Sequence, residues 1–270
     1  MQRTLLITSI LLTIFYSHLA IAFDHQHQNW HTLLQKHVHW INNGTASQVD
    51  YAGFQKDKVT LDAYLKSLSN VSRSEFDGWN RQQQLAFLIN AYNAFTIDLI
   101  LTDYPDLKSI KDLGSFLRSP WKKEFFTLFG EPRHLDYIEH DLIRADGVYN
   151  EPRIHVAVVC ASIGCPALRN EAYTDKKLNA QLEDSMRRFF SDRSRNRYNP
   201  STGKLEVSKI FSWYGDDFNK GHAGFDSLQS VFARYAELLA NDPSNRRRIR
   251  DGQVDWLYLN YDWGLNDISS

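Results

Sequence analysis

The chain has 270 residues, with 31 Lys and Arg against 32 Asp and Glu. That length supports one large core, and the near-neutral balance argues against a nucleic-acid binder, which carries a basic excess. Thirteen Tyr, seven Trp and sixteen Phe suit a well-packed domain with several aromatic surfaces.

The first element is a leader. Arg3 supplies a positive start, Leu5 to Phe15 is apolar, and Ala20-Ile21-Ala22 has the small-x-small pattern of a signal peptidase site. The expectation is cleavage after Ala22 and a periplasmic or secreted protein. The apolar run is too short for a membrane anchor, and no later segment is expected to form an integral membrane span.

Residues 23–74 read as an N-terminal helical segment. It holds five histidines between His25 and His39, and His27 and His31 have the i, i+4 spacing of a helical metal pair. No cysteine or carboxylate completes that set, so neither a metal nor another cofactor is expected. A long helix follows over residues 71–105, with Ser72 and Glu75 in a capping box and Val71 as its hydrophobic staple. Leu85, Leu88, Ile89, Tyr92, Phe95 and Leu99 recur with helical spacing, and Pro105 lies just beyond the end. Asn90 and Asn93 share a stripe flanked by apolar faces. Buried there, they tie down a neighbouring loop or orient a catalytic side chain.

Residues 106–152 alternate short helical and turn-like pieces. "IHVAVVC" then reads as a short buried strand, with His155 and Cys160 roughly 16 Å apart along it. On that geometry His155 serves as a buried hydrogen-bonding residue and not as a base for Cys160. "ASIG" makes a turn, and Cys165-Pro166 reads as a helix start whose amides lower the thiol pKa. A disulfide between Cys160 and Cys165 would close only a very small loop and stabilise little. "KKLNAQLEDSMRRFFSD" is an amphipathic helix, "NPSTGKLEVSKIF" a turn and strand, and "SLQSVFARYAELL" a further helix. Arg246 to Arg250 form a basic cluster on a solvated face. "DWLYLNYDWGLND" closes the chain with alternating apolar residues.

Several blocks together resemble the domain-of-unknown-function 547 family (DUF547). They are "WNRQQQLAFLINAYNAFTIDLIL", "SIKDLG", "LDYIEHDLIR", "RIHVAVVCASIGCPALRNEAY", "LEVSKIFSWYGDDF" and "LNYDWGLND". The resemblance runs from about residue 75 to residue 265. Its pattern places Asn90, Tyr92 and Asn93 in one block, Ile138, Glu139 and His140 in another, and His155, Cys160, Cys165 and Pro166 in a third. Ser208, Lys209 and Phe211 make the fourth. It implies an exported single-domain member and no particular reaction.

The expected fold is α+β, a helix-rich single domain whose small sheet carries the cysteine strand. The leading function is a cysteine-dependent hydrolase or acyl-transfer enzyme. In it Cys165 or Cys160 is the nucleophile, His140 the base and Glu139 its orienter, with Asn90 or Asn93 as an oxyanion or loop-positioning donor. Asn93, Tyr92 and His155 are candidate ligand contacts. The alternative is a non-catalytic module that binds a peptide, small molecule or envelope ligand in an aromatic cleft. Thiol-disulfide chemistry is a third reading, although the pair lacks C-x-x-C spacing.

Overall fold

Two local capping motifs compete in the long apolar segment, and each starts its own helix. Ser72 accepts from the Glu75 N–H and opens a short helix, Arg73–Asp77. Asn80 and Gln83 then form a reciprocal capping box that opens the Arg81–Leu101 helix. The single helix expected from residue 71 is therefore two. The second is buried on all sides, not along one stripe, because Phe87, Ala91 and Ile97 are as enclosed as Leu88 and Phe95. By length and composition it could cross a membrane, yet it is the packed centre of the fold.

The computed structural model describes residues 22–115 and 118–269; the leader read at residues 1–22 lies, except for Ala22, outside the described residues. The architecture is α+β and helix-rich, with three small sheets. Val38–Ile41 pairs antiparallel with Ala46–Val49, and Phe126–Leu128 with Glu131–Arg133. Lys204–Val207 pairs antiparallel with Arg197–Asn199 and parallel with Trp256–Tyr258.

The N-terminal segment is built into the same core as the long helix. Trp30 stacks on Tyr64, and Phe23 meets Phe87 edge-on. Three of its five histidines are spent one by one. His27 Nδ1 lies 2.7 Å from the Tyr64 hydroxyl, His31 Nδ1 accepts from the Ala172 N–H, and His37 Nε2 meets Asp57 at 2.7 Å. The His27–His31 pair thus converges on nothing.

A second apolar cluster gathers Met186 and Phe190 of the Leu178–Ser191 helix with Phe211, Phe232 and Tyr235. Phe190 stacks on Tyr235 with centroids 4.6 Å apart. Tyr261 packs against both clusters, and Cys165 belongs to the first. The functional cleft opens where the two meet.

The cysteine segment contradicts the strand expected for it. Pro152–Val156 is a 3-10 helix, residues 157–160 run on without sheet pairing, and no helix starts at Cys165. The physical reason is Asn93. Its Nδ2 donates to the Ala157 carbonyl at 2.9 Å and its Oδ1 accepts from the Val159 N–H at 3.0 Å. One side-chain amide thus supplies the partners that a neighbouring strand would have supplied.

Candidate functional site

A cleft of about 270 Å³ has Tyr92, Asp136, Glu139, His140, His155, Cys160 and Cys165 in its walls. Trp121, Trp213, Tyr214, Tyr261 and Trp263 complete it as an aromatic enclosure. Of the candidate catalytic and ligand-contact residues named from the sequence, Asn90 and Asn93 do not line it. Asn90 clamps Tyr173, donating to its carbonyl at 2.7 Å and accepting from its N–H at 3.0 Å. That amide is engaged with the Tyr173 backbone and does not line the cleft, which counts against Asn90 as an oxyanion donor. Asn93 is equally spent, but on the backbone leading to Cys160.

The two cysteines are free thiols held on a tight loop. Ala161 turns the chain with a left-handed φ of 59°, and the next residues pair with the C-terminal segment. Ile163 donates to the Gly264 carbonyl and Gly164 to that of Asp262, both at 2.8 Å. At Gly164 a Cβ would lie 2.8 Å from the Asp262 carbonyl oxygen, so only glycine permits this approach. The pairing delivers Tyr261 to the sulfurs.

Cys165 Sγ accepts from the Cys160 backbone N–H at 2.9 Å and from the Tyr261 hydroxyl at 3.1 Å. Ser162 Oγ lies 3.6 Å away. Burial works to raise this thiol's pKa, but hydrogen bonding from the Cys160 side chain first, then from Tyr261 and from the backbone and hydroxyl of Ser162, outweighs it and brings it to about 6. Cys160 Sγ meets the Ser162 and Tyr261 hydroxyls at 2.9 and 3.1 Å. Burial and the adjacent Cys165 push its pKa well up. The pair therefore divides into one thiolate and one thiol. The polarising groups are the Cys160 side chain, the Tyr261 hydroxyl and the backbone and hydroxyl of Ser162, not the helix N-terminus expected at Cys165-Pro166.

Glu139 and His140 ride on a π-helical stretch, Tyr137–Ile143, closed by the Arg144 N–H to the Glu139 carbonyl at 2.9 Å. Such wide turns recur at functional sites. Arg144 Nη1 donates to His140 Nδ1 at 2.6 Å. A guanidinium has no acceptor, so Nδ1 keeps its lone pair and the neutral ring carries its proton on Nε2. His140 thus offers the cleft a donor and not the base expected of it, and its orienter is Arg144, not Glu139. Asp136 lies 3.9 Å from Nε2. Among the described residues, neither cysteine hydrogen-bonds to a histidine.

Asp217, outside every expectation, anchors the opposite wall. Its Oδ2 accepts from Arg144 Nε at 2.6 Å and from His155 Nε2 at 2.8 Å. Burial raises this carboxyl, but those two partners outweigh it and hold it well below the usual range. His155 stacks on Tyr214 at 3.9 Å, and burial lowers its pKa despite Asp217. Its Nδ1 is buried with no partner among the described residues. Tyr214 is pushed up by burial and by Glu139. The signals for Asp217 and Tyr261 were present in "WYGDDF" and "LNYDWG", but neither block says which residue faces the sulfurs.

Residues 76–190 match the family model described as Protein of unknown function, DUF547. The matched segment is less than half of the chain. That segment supports the resemblance read from the sequence blocks. It includes Tyr92, Glu139, His140, His155 and both cysteines. Tyr214, Asp217, Tyr261 and Trp263 lie beyond the matched DUF547 residues. No curated protein and no solved structure matches the chain.

Proposed function

We propose that this chain is a cysteine-dependent hydrolase or acyl-transfer enzyme with Cys165 as its nucleophile. The observation that carries the reading is the set of donors around Cys165 Sγ, which favours a thiolate near neutral pH without a histidine base. The thiolate adds to an acyl carbon, a thioester forms, and the leaving group departs and takes a proton from solvent. Water then adds to the thioester, releasing the acid and restoring the thiolate; another acceptor in place of water makes the reaction a transfer. His140 Nε2–H is a donor for the carbonyl oxygen as charge develops on it. Tyr92 forms part of the cleft wall behind the sulfurs, and Asn93 acts at one remove by fixing residues 157–159.

The test is hydrolysis of p-nitrophenyl acetate. Turnover should fall to the buffer rate in Cys165→Ala, whose backbone and packing are otherwise kept. Wild-type turnover in that variant would remove Cys165 from the chemistry. A non-catalytic binding module is favoured by one feature, the 3% exposure of Cys165. Its signature is ligand binding in the cleft with no turnover in either protein.

We propose in addition that the protein is exported. The Ala20-Ile21-Ala22 pattern supports this, as does Phe23, whose ring packs on Trp79 and Phe87 directly after the cleavage point. N-terminal sequencing of secreted material should begin at Phe23, and a retained Met1 would end the idea.

A further inference from the structure

The acidic side chains of the cleft have no cation to balance them. Glu139 is 5% exposed and accepts from the Tyr214 hydroxyl, but among the described residues it makes no salt bridge and no Lys or Arg side chain lies in the cleft wall. A buried carboxylate is ordinarily paired. Arg144 is the nearest candidate, but its guanidinium is committed to Asp217 and His140. Asp136 adds a second carboxyl, raised first by burial and further by Glu139. The Cys165 thiolate adds negative charge to the same space.

His155 gives an independent sign. Its Nε2 donates to ionised Asp217, so the neutral ring keeps a lone pair at Nδ1, and that buried atom has no donor partner among the described residues. Asp136, Glu139 and His155 are thus three acceptors in one cleft. Facing them are electron-rich rings. Trp213 is 44% exposed at the rim, 5.7 Å from Trp263, which lies 4.6 Å from Tyr261. Trp263 already attracts a cation, with Lys111 Nζ 3.9 Å from its centroid. Carboxylates, an unmatched acceptor and indole faces together complement one chemistry, a cation rich in N–H donors.

We infer that the cleft recognises a primary ammonium group on its substrate, held between Glu139, Asp136 and the tryptophan wall. This deepens the proposed function by naming a substrate class, and it rests on that reading in calling the ligand a substrate. The acyl compound that reaches Cys165 therefore carries an alkylammonium, as the side chain or terminus of an amino-acid derivative does.

The experiment compares phenethylammonium with its neutral and anionic counterparts, 2-phenylethanol and phenylacetate, by tryptophan fluorescence titration at neutral pH. The ammonium should bind about tenfold more tightly than the alcohol, with phenylacetate weakest. Glu139→Gln should erase most of that preference. Asp136→Asn, at a less buried position, should reduce it, and thermal melts establish that each variant is folded. Equal affinity for alcohol and ammonium, preference for phenylacetate, or a preference untouched by both substitutions would overturn the inference. Iodoacetamide labelling of Cys165 without any probe reports the thiolate separately. An inert Cys165 with the ammonium preference intact upholds this inference and retires the enzyme reading. A reactive Cys165 with no preference does the reverse.

Discussion

Asn93→Ala is expected to destabilise the fold by about 2–6 kcal/mol, because it strands a buried carbonyl and a buried N–H that each cost ~1–3 kcal/mol unpaired. Both stranded groups, the Ala157 carbonyl and the Val159 N–H, lie just before Cys160. The same substitution should therefore loosen the loop that supplies the Cys160 N–H to Cys165. Asn90→Ala removes an equivalent clamp, on Tyr173, and should cost a similar amount in a urea melt. It should nevertheless leave the reactivity of Cys165 where it was. An Asn93→Ala protein with an unchanged denaturation midpoint would show that the backbone before Cys160 finds other partners.

Tyr261→Phe should raise the pH midpoint of Cys165 alkylation. The hydroxyl stays protonated, since burial and the two cysteines push its own pKa well up, and it donates to Cys165 Sγ at 3.1 Å. Phenylalanine keeps the ring against Trp213 and Trp263 and removes only that donor. A hydrogen bond to a charged group contributes ~1.5–3 kcal/mol, which corresponds to about 1–2 pH units at 1.36 kcal/mol per unit. The sign is fixed. Losing a donor to the thiolate disfavours the charged form, so the labelling curve moves to higher pH.

The parts of this site that were legible in the sequence are those set by local periodicity. Helical spacing put Asn90, Asn93 and Tyr92 on one buried element, and the Leu178–Ser191 helix followed from a local pattern in the same way. The α+β class followed from the mixture of such pieces. The cysteine segment was misread because a β-branched run has strand propensity, while its actual partner is a side chain 64 to 66 positions earlier. Tertiary capture by Asn93 overrode the local preference. The π-helical turn was equally hidden, since "YIEHDLI" has ordinary helical composition and nothing in it marks i to i−5 bonding such as that of the Arg144 N–H to the Glu139 carbonyl. Tyr261 meets Cys165 across 96 residues. Its role arises from the pairing of residues 162–164 with 262–264, and Gly164 was the only local trace of that approach. His140 illustrates a further limit. A histidine beside two acids suggests a base, but the residue that fixes its tautomer is Arg144, one turn on.

The central claim is that Cys165 is a thiolate near neutral pH and Cys160 is not. The measurement is timed iodoacetamide labelling of reduced wild-type protein across a pH series, with peptide mapping of both sites and Tyr261→Phe alongside. Labelling of Cys165 should rise with a midpoint at about pH 6 and level off above it, while Cys160 remains slow through the same range. Slow labelling at both cysteines, with a rate that follows unfolding and not pH, would contradict the account.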